Sequence, residues 1–384
     1  MIFTLTYRIN LIFTMILVGT LTSSVYGANV VSLNSAAGFA GENVVVTLSL
    51  DNADTLAGIQ FTIRDTPNHL TLVSVEKTSR LSAFSTPNFN DLTDLGVAKI
   101  IGFSFGGWIE PGTGAILNLT YAIPSNAPPG DIGLVYDQIV LSTHRAFTVA
   151  ATGVPGAIKV INPVMLSSHP AGQPENKFNE TAHAVNQDLF RFGITGPTLS
   201  FRMENLTFDL GLSQLNSSDL TAVQLFEDTN GDGTADGLSL FTSISIVGSN
   251  IHADGLDLLI PAGATRYYIL KATVALNQVS DELSLSISSA GVGGNIEDAV
   301  LGVIPAQSEG NTTDAVHTAT GFTGDISFDL RRNIIDVVKL IGVLLGNISM
   351  DGNNAYYDIN NDTQVDITDA VSLIQQILNG ETQP

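Results

Sequence analysis

Near its C-terminal end the chain twice places oxygen-bearing side chains at positions 1, 3, 5, 9 and 12 of a 12-residue run. In the second run these are Asp358, Asn360, Asp362, Asp366 and Asp369, with Gln364 at position 7; in the first they are Asp325, Ser327, Asp329, Asn333 and Asp336, with Arg331 at position 7. Position 7 contributes its backbone carbonyl. A hard divalent cation takes about 6–8 oxygens, and a wrap of this spacing brings them to one point, so the cation predicted is Ca2+. The runs begin 33 residues apart (358 − 325), an internal repeat. Loop one departs from the pattern twice: Leu330 stands at position 6, where glycine is usual, and Arg332 at position 8, where loop two has the apolar Val365. Position 6 often takes φ > 0, which a bulky side chain resists. Thr363 carries the same defect in loop two. Loop two is expected to hold calcium better than loop one.

Each run leads into a helical pattern. Ile334, Val337, Val338, Ile341, Leu344 and Leu345 recur at helical spacing up to Gly346; Ala370, Val371, Ile374, Ile377 and Leu378 do so up to Gly380. A glycine there suits the left-handed residue that commonly ends a helix. This stretch, 324–380, resembles a dockerin, the calcium-folded module of cellulosome-type assemblies, which lacks the entering helix of an ordinary EF-hand. The resemblance implies that Ile334, Ile335, Ile367 and Thr368, just before the final ligands, help recognise a cohesin. A solvated Asp/Asn loop before an ordinary helix is the plainer alternative.

The rest of the chain reads as strand after strand. Val44, Val46, Leu48 and Leu50 alternate with Val45, Thr47 and Ser49; Ile59, Phe61 and Ile63 alternate with Gln60, Thr62 and Arg64. Ile101, Phe103 and Phe105 form a third set, and Leu117, Leu119, Tyr121 and Ile123 a fourth. Period two with one apolar face marks half-buried strands, and signals such as Pro111-Gly112 and Pro128-Pro129-Gly130 mark turns between them. Many short strands without helices predict an antiparallel sandwich. The order of these strands, closing on Gly156-Ala157-Ile158-Lys159-Val160, resembles a cohesin, the receptor that binds dockerins. Cohesins share their architecture with carbohydrate-binding modules, so the resemblance implies fold more firmly than function. Trp108, the only tryptophan, lies in Gly106-Gly107-Trp108-Ile109. It is read as a core or edge plug, with a sugar-stacking platform as the alternative.

A second β-region follows, in which Leu199, Phe201 and Met203, then Tyr268, Leu270, Ala272, Val274 and Leu276, then Leu283, Leu285 and Ile287 form apolar faces. It contains Asp228, Asn230, Asp232 and Asp236 at positions 1, 3, 5 and 9 of another such run, with Gly233 at 6 but Ser239 at 12. Calcium binding and a bare polar hairpin turn both remain open there, since Asn-Gly and Asp-Gly are turn formers. The N-terminus carries Arg8 before an apolar run, 11–21, and small residues up to Gly27, the pattern of an export signal. The domains read as a signal peptide at 1–27, a cohesin-like sandwich at 28–162, a second sandwich of no named family at 163–305, a polar linker at 306–321 and the dockerin-like module at 322–380. The fold class is mainly β: two antiparallel β-sandwich domains, then a small α-helical calcium-loop module related to EF-hands.

Composition narrows function. With a formal charge of −22 and only 15 Lys plus Arg, nucleic acid and anionic membrane surfaces are poor partners. There is no cysteine, so disulfides and thiolate sites are excluded. The six histidines are scattered, and neither a Gly-x-Ser-x-Gly elbow nor a phosphate loop ending in Gly-Lys-Ser/Thr occurs. A carboxylate pair among Glu42, Asp51, Glu110 and Glu204 is not excluded by sequence. The reading is a secreted, non-catalytic adaptor without a membrane span after signal cleavage. It would assemble extracellular, polysaccharide-degrading complexes through calcium-dependent pairing with cohesin- or dockerin-bearing proteins. The alternatives are a carbohydrate-binding protein delivered by its dockerin, a hydrolase hidden in 163–304, and a head-to-tail homopolymer.

Overall fold

The computed structural model describes residues 29–179, 183–241, 244–350 and 354–381; the expected export signal lies outside them. Among the described residues no helix is long and apolar enough to cross a membrane. The described residues divide into two compact units that interleave in sequence: the first takes 29–34, Val45–Ala122 and Gly133–Ala157, the second Ser35–Val44, Ile123–Ile132 and the described residues from Ile158 onward. The single boundary expected at 162/163 is therefore replaced by an interleaved one. Phe39 and Ile161 explain why, since both are buried in the apolar cluster of the second unit with Val164 and Leu166.

In the first unit the alternation sets the strands. Val46, Leu48 and Leu50 of the strand Asn43–Asn52 are fully buried, as are Leu117 and Leu119 of the strand Gly112–Ala122. These two strands pair into a five-stranded sheet ordered Ala151–Val154, Asn29–Leu33, Asn43–Asn52, Gly112–Ala122 and Thr71–Lys77. A seven-stranded sheet includes, in order, Ala36–Phe39, Gly156–Ile161, Gly130–Thr143, Leu56–Thr66, Val97–Phe103 and Asn88–Leu92, with Thr148–Val149 beside Gly130–Thr143, Phe61 opposite Ile100 and Ile63 opposite Ala98. That register corrects one expectation. Ile100 is fully buried, whereas Ile101, Phe103 and Phe105 are 46, 39 and 93 % exposed, so the apolar face chosen from sequence is the outer one. Both faces of Val97–Phe103 carry aliphatic residues, and a one-residue shift exchanges them.

The second unit contains a larger sandwich. A six-stranded sheet is ordered Asp236–Phe241, Leu220–Asp228, Thr265–Ala275, His183–Thr195, Val164–Ser168 and Ser308–Gly310. A second sheet runs Ile244–Val247, Asn250–Ile260, Ser200–Ser213, Glu282–Ser286 and Ala315–Thr318, with Val292–Asp298 also pairing to Ser200–Ser213 and to Gly302–Pro305. The sheets meet through aromatic rings: Phe208 of one lies edge-on to Phe190 and Phe192 of the other, at 6.0 and 5.5 Å. The expected linker at 306–321 is not one, because Ser308–Gly310 and Ala315–Thr318 are strands of this sandwich. Its small and threonine-rich composition suggests a tether. Buried Ala315 and His317 are instead sheet residues, and His317 hydrogen-bonds the Leu189 carbonyl at 2.9 Å.

The chain then forms two helices, α1 (Ile334–Leu344) and α2 (Ile367–Leu378). Both begin with a reciprocal cap: Asn333 accepts from Ile335 N while Asp336 accepts from Asn333 N, and Asp366 accepts from Thr368 N while Asp369 accepts from Asp366 N. Both end at the expected left-handed glycines, Gly346 (φ 72°) and Gly380 (φ 82°). The helices pack over a small core of Ile326, Val337, Leu340, Tyr357, Ile359, Ala370 and Leu373.

Candidate functional site

The two 12-residue loops fold alike because the same backbone is written twice. Positions 4 and 6 are left-handed in both: Phe328 (φ 64°) and Leu330 (φ 60°) in loop one, Asn361 (φ 60°) and Thr363 (φ 74°) in loop two. The position-1 carboxylate sits over this turn. Asp325 accepts from the amides of Asp329 and Leu330 at 3.0 and 3.1 Å, and Asp358 accepts from Asp362 and Thr363 at 3.0 and 2.9 Å. The position-12 carboxylate closes each loop: Asp336 accepts from Ser327 and Asn333, and Asp369 from Ile359, Asn360 and Asp366. Position 12 is thus both helix cap and loop closure, a dual use that spacing alone did not reveal.

The loops differ in what they gather. Asp325, Asp329 and Asp336 bring carboxylate oxygens within 4.8 Å of one another, with Asp325 and Asp336 fully buried. Among the described residues no salt bridge neutralises any of the three. The Ser327 hydroxyl is buried beside them. Burial, then the neighbouring Asp336 and Asp329, pushes the Asp325 carboxyl up to about 7. Burial likewise raises Asp336, against the amides of Asn333 and Ser327. A divalent cation is the chemistry such a set fits, since it supplies the missing positive charge.

Loop two, expected to hold calcium better, forms no such group. Asn360 turns its amide to Asp362 Oδ2 and Thr368 Oγ1, both at 2.9 Å, and Asp366 is engaged as the cap of α2, with hydrogen bonds from Thr368 holding its carboxyl low. Gln364 is exposed, its amide donating to Asp362. In loop one Asn333 Nδ2 points to Asp329 at 3.2 Å and Arg331 N donates to Asp329. Arg332, read as a defect, is buried: it donates to the carbonyls of Thr323 and Glu381 at 2.8 and 2.9 Å and lies over the Phe322 ring, tying the ends of the helical pair together.

The loop at 228–236 copies the turn with Gly231 (φ 73°) and Gly233 (φ 90°), whose amides both reach Asp228 at 2.7 Å. Asp236 accepts from Thr229, Asn230 and Asp232 bond each other, and Asp232 accepts from Thr234 N. Asp228 is buried against His169, Nε2 to Oδ2 3.1 Å, and burial is the main cause lowering the His169 pKa. Sequence gave no sign of this pair, 59 residues apart (228 − 169). The turn contacts are those of a polar hairpin, and among the described residues no group of three carboxylate or histidine ligand atoms gathers here.

The repeat also duplicates an outward face. Ile334, Val338, Ile341 and Leu345 of α1 and the C-cap beyond it are 65, 63, 38 and 69 % exposed; the residues 33 positions on, Ile367, Val371, Ile374 and Leu378, are 64, 50, 39 and 79 % exposed. Ile335 is 56 % exposed, and Thr368 beside Ile367 is exposed too. Each helix therefore buries one apolar stripe and presents a second to solvent, the mark of an interaction surface.

In the first unit Trp108 is not a core plug. It is 40 % exposed, its ring 5.1 Å from that of His144. The carboxylates that sequence left open as a catalytic pair serve structural hydrogen bonds: Glu42 accepts from Phe39 N, Asp51 from Thr113, Glu110 from Thr55 and Glu204 from Asn295.

Residues 30–160 match the cohesin domain family. Cohesin domains are non-catalytic structural modules. No curated protein matches the chain. Among solved structures, a type I cohesin–dockerin complex of Clostridium thermocellum is 11 % identical, covering 35 % of this chain and 99 % of its own at TM-score 0.31. The sixth cohesin of scaffoldin B from Acetivibrio cellulolyticus, solved with a Cel5 dockerin, is 20 % identical over 35 and 99 % at 0.31. A non-cellulosomal cohesin of Archaeoglobus fulgidus is 16 % identical over 35 and 93 % at 0.30.

Proposed function

We propose that the chain is a secreted, non-catalytic adaptor with a receptor at one end and a plug at the other. The cohesin domain would receive the dockerin of a partner, and the helical pair at 322–380 would act as a dockerin toward another protein's cohesin. The observation that carries this reading is the outward apolar stripe repeated at a 33-residue interval on two helices, beside an acidic loop whose gathered carboxylates form no salt bridge among the described residues. Calcium would be held by Asp325, Asp329, Asp336 and the Ser327 hydroxyl, with Arg331 and Asn333 at the remaining ligand positions. Loop two would use Asp358, Asn360, Asp362, Gln364, Asp366 and Asp369. Bound calcium supplies the positive charge these carboxylates lack, which makes folding of the small unit, and hence docking, metal-dependent. Ile334, Ile335, Ile367 and Thr368, with Val338 and Val371, would form the contact.

The test is capture of the full chain on immobilised cohesins, and separately on immobilised dockerins, with calcium and with EGTA. Capture on a cohesin that survives EGTA unchanged would sink the calcium-ordered plug. Failure on every dockerin would sink the receptor. The exposed Trp108 favours a second reading, a sugar-stacking platform on the cohesin domain. Retention on insoluble polysaccharide, lost in Trp108→Ala, would support it.

A further inference from the structure

Leu330 sits at the loop position where glycine is the easy choice, at φ 60°. Loop two leaves its equivalent, Thr363, exposed, and the loop at 228–236 uses Gly233. Leu330 is instead fully buried, and it belongs to the apolar cluster of the preceding sandwich rather than to the core of its own helices. Two residues earlier the Phe328 carbonyl, also in a left-handed residue, accepts the amide of Val279 from that sandwich at 3.0 Å. The Phe328 ring meets Tyr356 edge-on at 5.3 Å, with Lys339 Nζ 4.9 Å from its centre. The amide of Leu330 meanwhile donates to Asp325. One residue thus belongs to two structures: its backbone frames the acidic cluster, and its side chain fills the sandwich.

We propose that loop one is a cation-operated latch: an ion shared by Asp325, Asp329 and Asp336 holds the left-handed turn at 328–330, and that turn keeps Leu330 seated in the sandwich and the Phe328 carbonyl on Val279. The proposal rests on the reading that loop one takes calcium. Without the ion, the three gathered carboxylates repel, and the loop relieves that repulsion by opening. Opening moves the amides of Asp329 and Leu330 off Asp325 and withdraws the Leu330 side chain. The helical pair is then tethered to the sandwich rather than fixed on it. By linkage, seating Leu330 raises cation affinity by the same factor that the cation favours seating. A strained leucine in place of glycine is accounted for, because glycine would bind the ion but seat nothing.

The Val279 amide reports on the latch without any partner present. Amide hydrogen exchange is followed on the full chain with saturating calcium and with EGTA, in the parent and in Leu330→Gly, with the amides of Asp329 and Leu330 (or Gly at that site) read in the same experiment. Chelation is expected to speed exchange at Val279 at least tenfold in the parent. In Leu330→Gly, Val279 should exchange fast in both conditions while the Asp329 amide still gains protection from calcium. If chelation deprotects Asp329 and leaves Val279 unchanged, the latch is overturned and the calcium reading stands. If it changes neither, both are overturned. Val279 protected as in the parent when residue 330 is glycine also overturns the latch, since the side chain then does not seat it.

Discussion

Calcium binding to loop one should release protons, and the structure sets how many and where. Asp325 is fully buried, and its carboxyl is raised from 3.8 to about 7. In the metal-free protein a raised carboxyl means that the folded state holds a proton the unfolded chain has already lost. Its contribution is present below pH 4 and fades as pH rises toward 7, so the metal-free helical pair is more stable in mild acid than at pH 7.5. At ~1.4 kcal/mol per pH unit the interval has a ceiling of about 4 kcal/mol, shared with Asp336, whose carboxyl burial also raises. Calcium needs the carboxylate ionised, so below pH 7 its apparent affinity should fall roughly tenfold per pH unit for one displaced proton. Calorimetric titration of the full chain at pH 7.5, 6.5 and 5.5, in buffers of different ionisation heat, reads the proton count directly. About one proton per ion is expected at pH 6. The Asp336→Asn variant should release fewer, because the like charge raising Asp325 is gone. An affinity flat from pH 5 to 7.5, with no proton released, would refute the reasoning.

Three further outcomes follow from named contacts. Val338→Asp with Val371→Asp places a charge on each repeat of the outward stripe, where these residues are 63 and 50 % exposed; capture by a cohesin should weaken at least ~100-fold, at roughly 1.5–3 kcal/mol per side chain, while the calcium content stays unchanged. Thr363→Gly removes a side chain at φ 74° with no buried contact to lose, and should stabilise loop two by ~1 kcal/mol, read as resistance to EGTA in a thermal melt. Arg332→Met keeps the stem over Phe322 but loses the hydrogen bonds to Thr323 and Glu381, and should cost about 2–3 kcal/mol in the same melt.

How far the sequence could be read depended on whether a local rule or a distant partner decided the outcome. The strands of both sandwiches followed alternation wherever one face was polar: Val46, Leu48 and Leu50 are buried where the pattern put them. At Ile100-Ile101 both faces were apolar, and only the register against Phe61 chose between them. The two helices and their terminal glycines follow from local patterns and were legible. Which loop gathers its carboxylates was not. Val365 at position 8, against Arg332 in loop one, favoured loop two, but it is loop one whose tip is packed against a sandwich and whose Asp325 and Asp336 are buried. Leu330 and Arg332 looked like blemishes because their partners, the sandwich interior and the Glu381 carbonyl, lie far away in sequence. The same holds for His169 and Asp228, and for the strands Ser308–Gly310 and Ala315–Thr318 inside an apparently tether-like segment.

The gathering of three carboxylates at loop one is tested most directly by counting ions. Native mass spectrometry of the full chain, stripped with EGTA and returned to calcium at pH 7.5, should show one ion fewer in Asp325→Asn with Asp336→Asn than in the parent. An equal count in the two proteins would contradict the account at its root, since the buried acidic set would then be holding nothing.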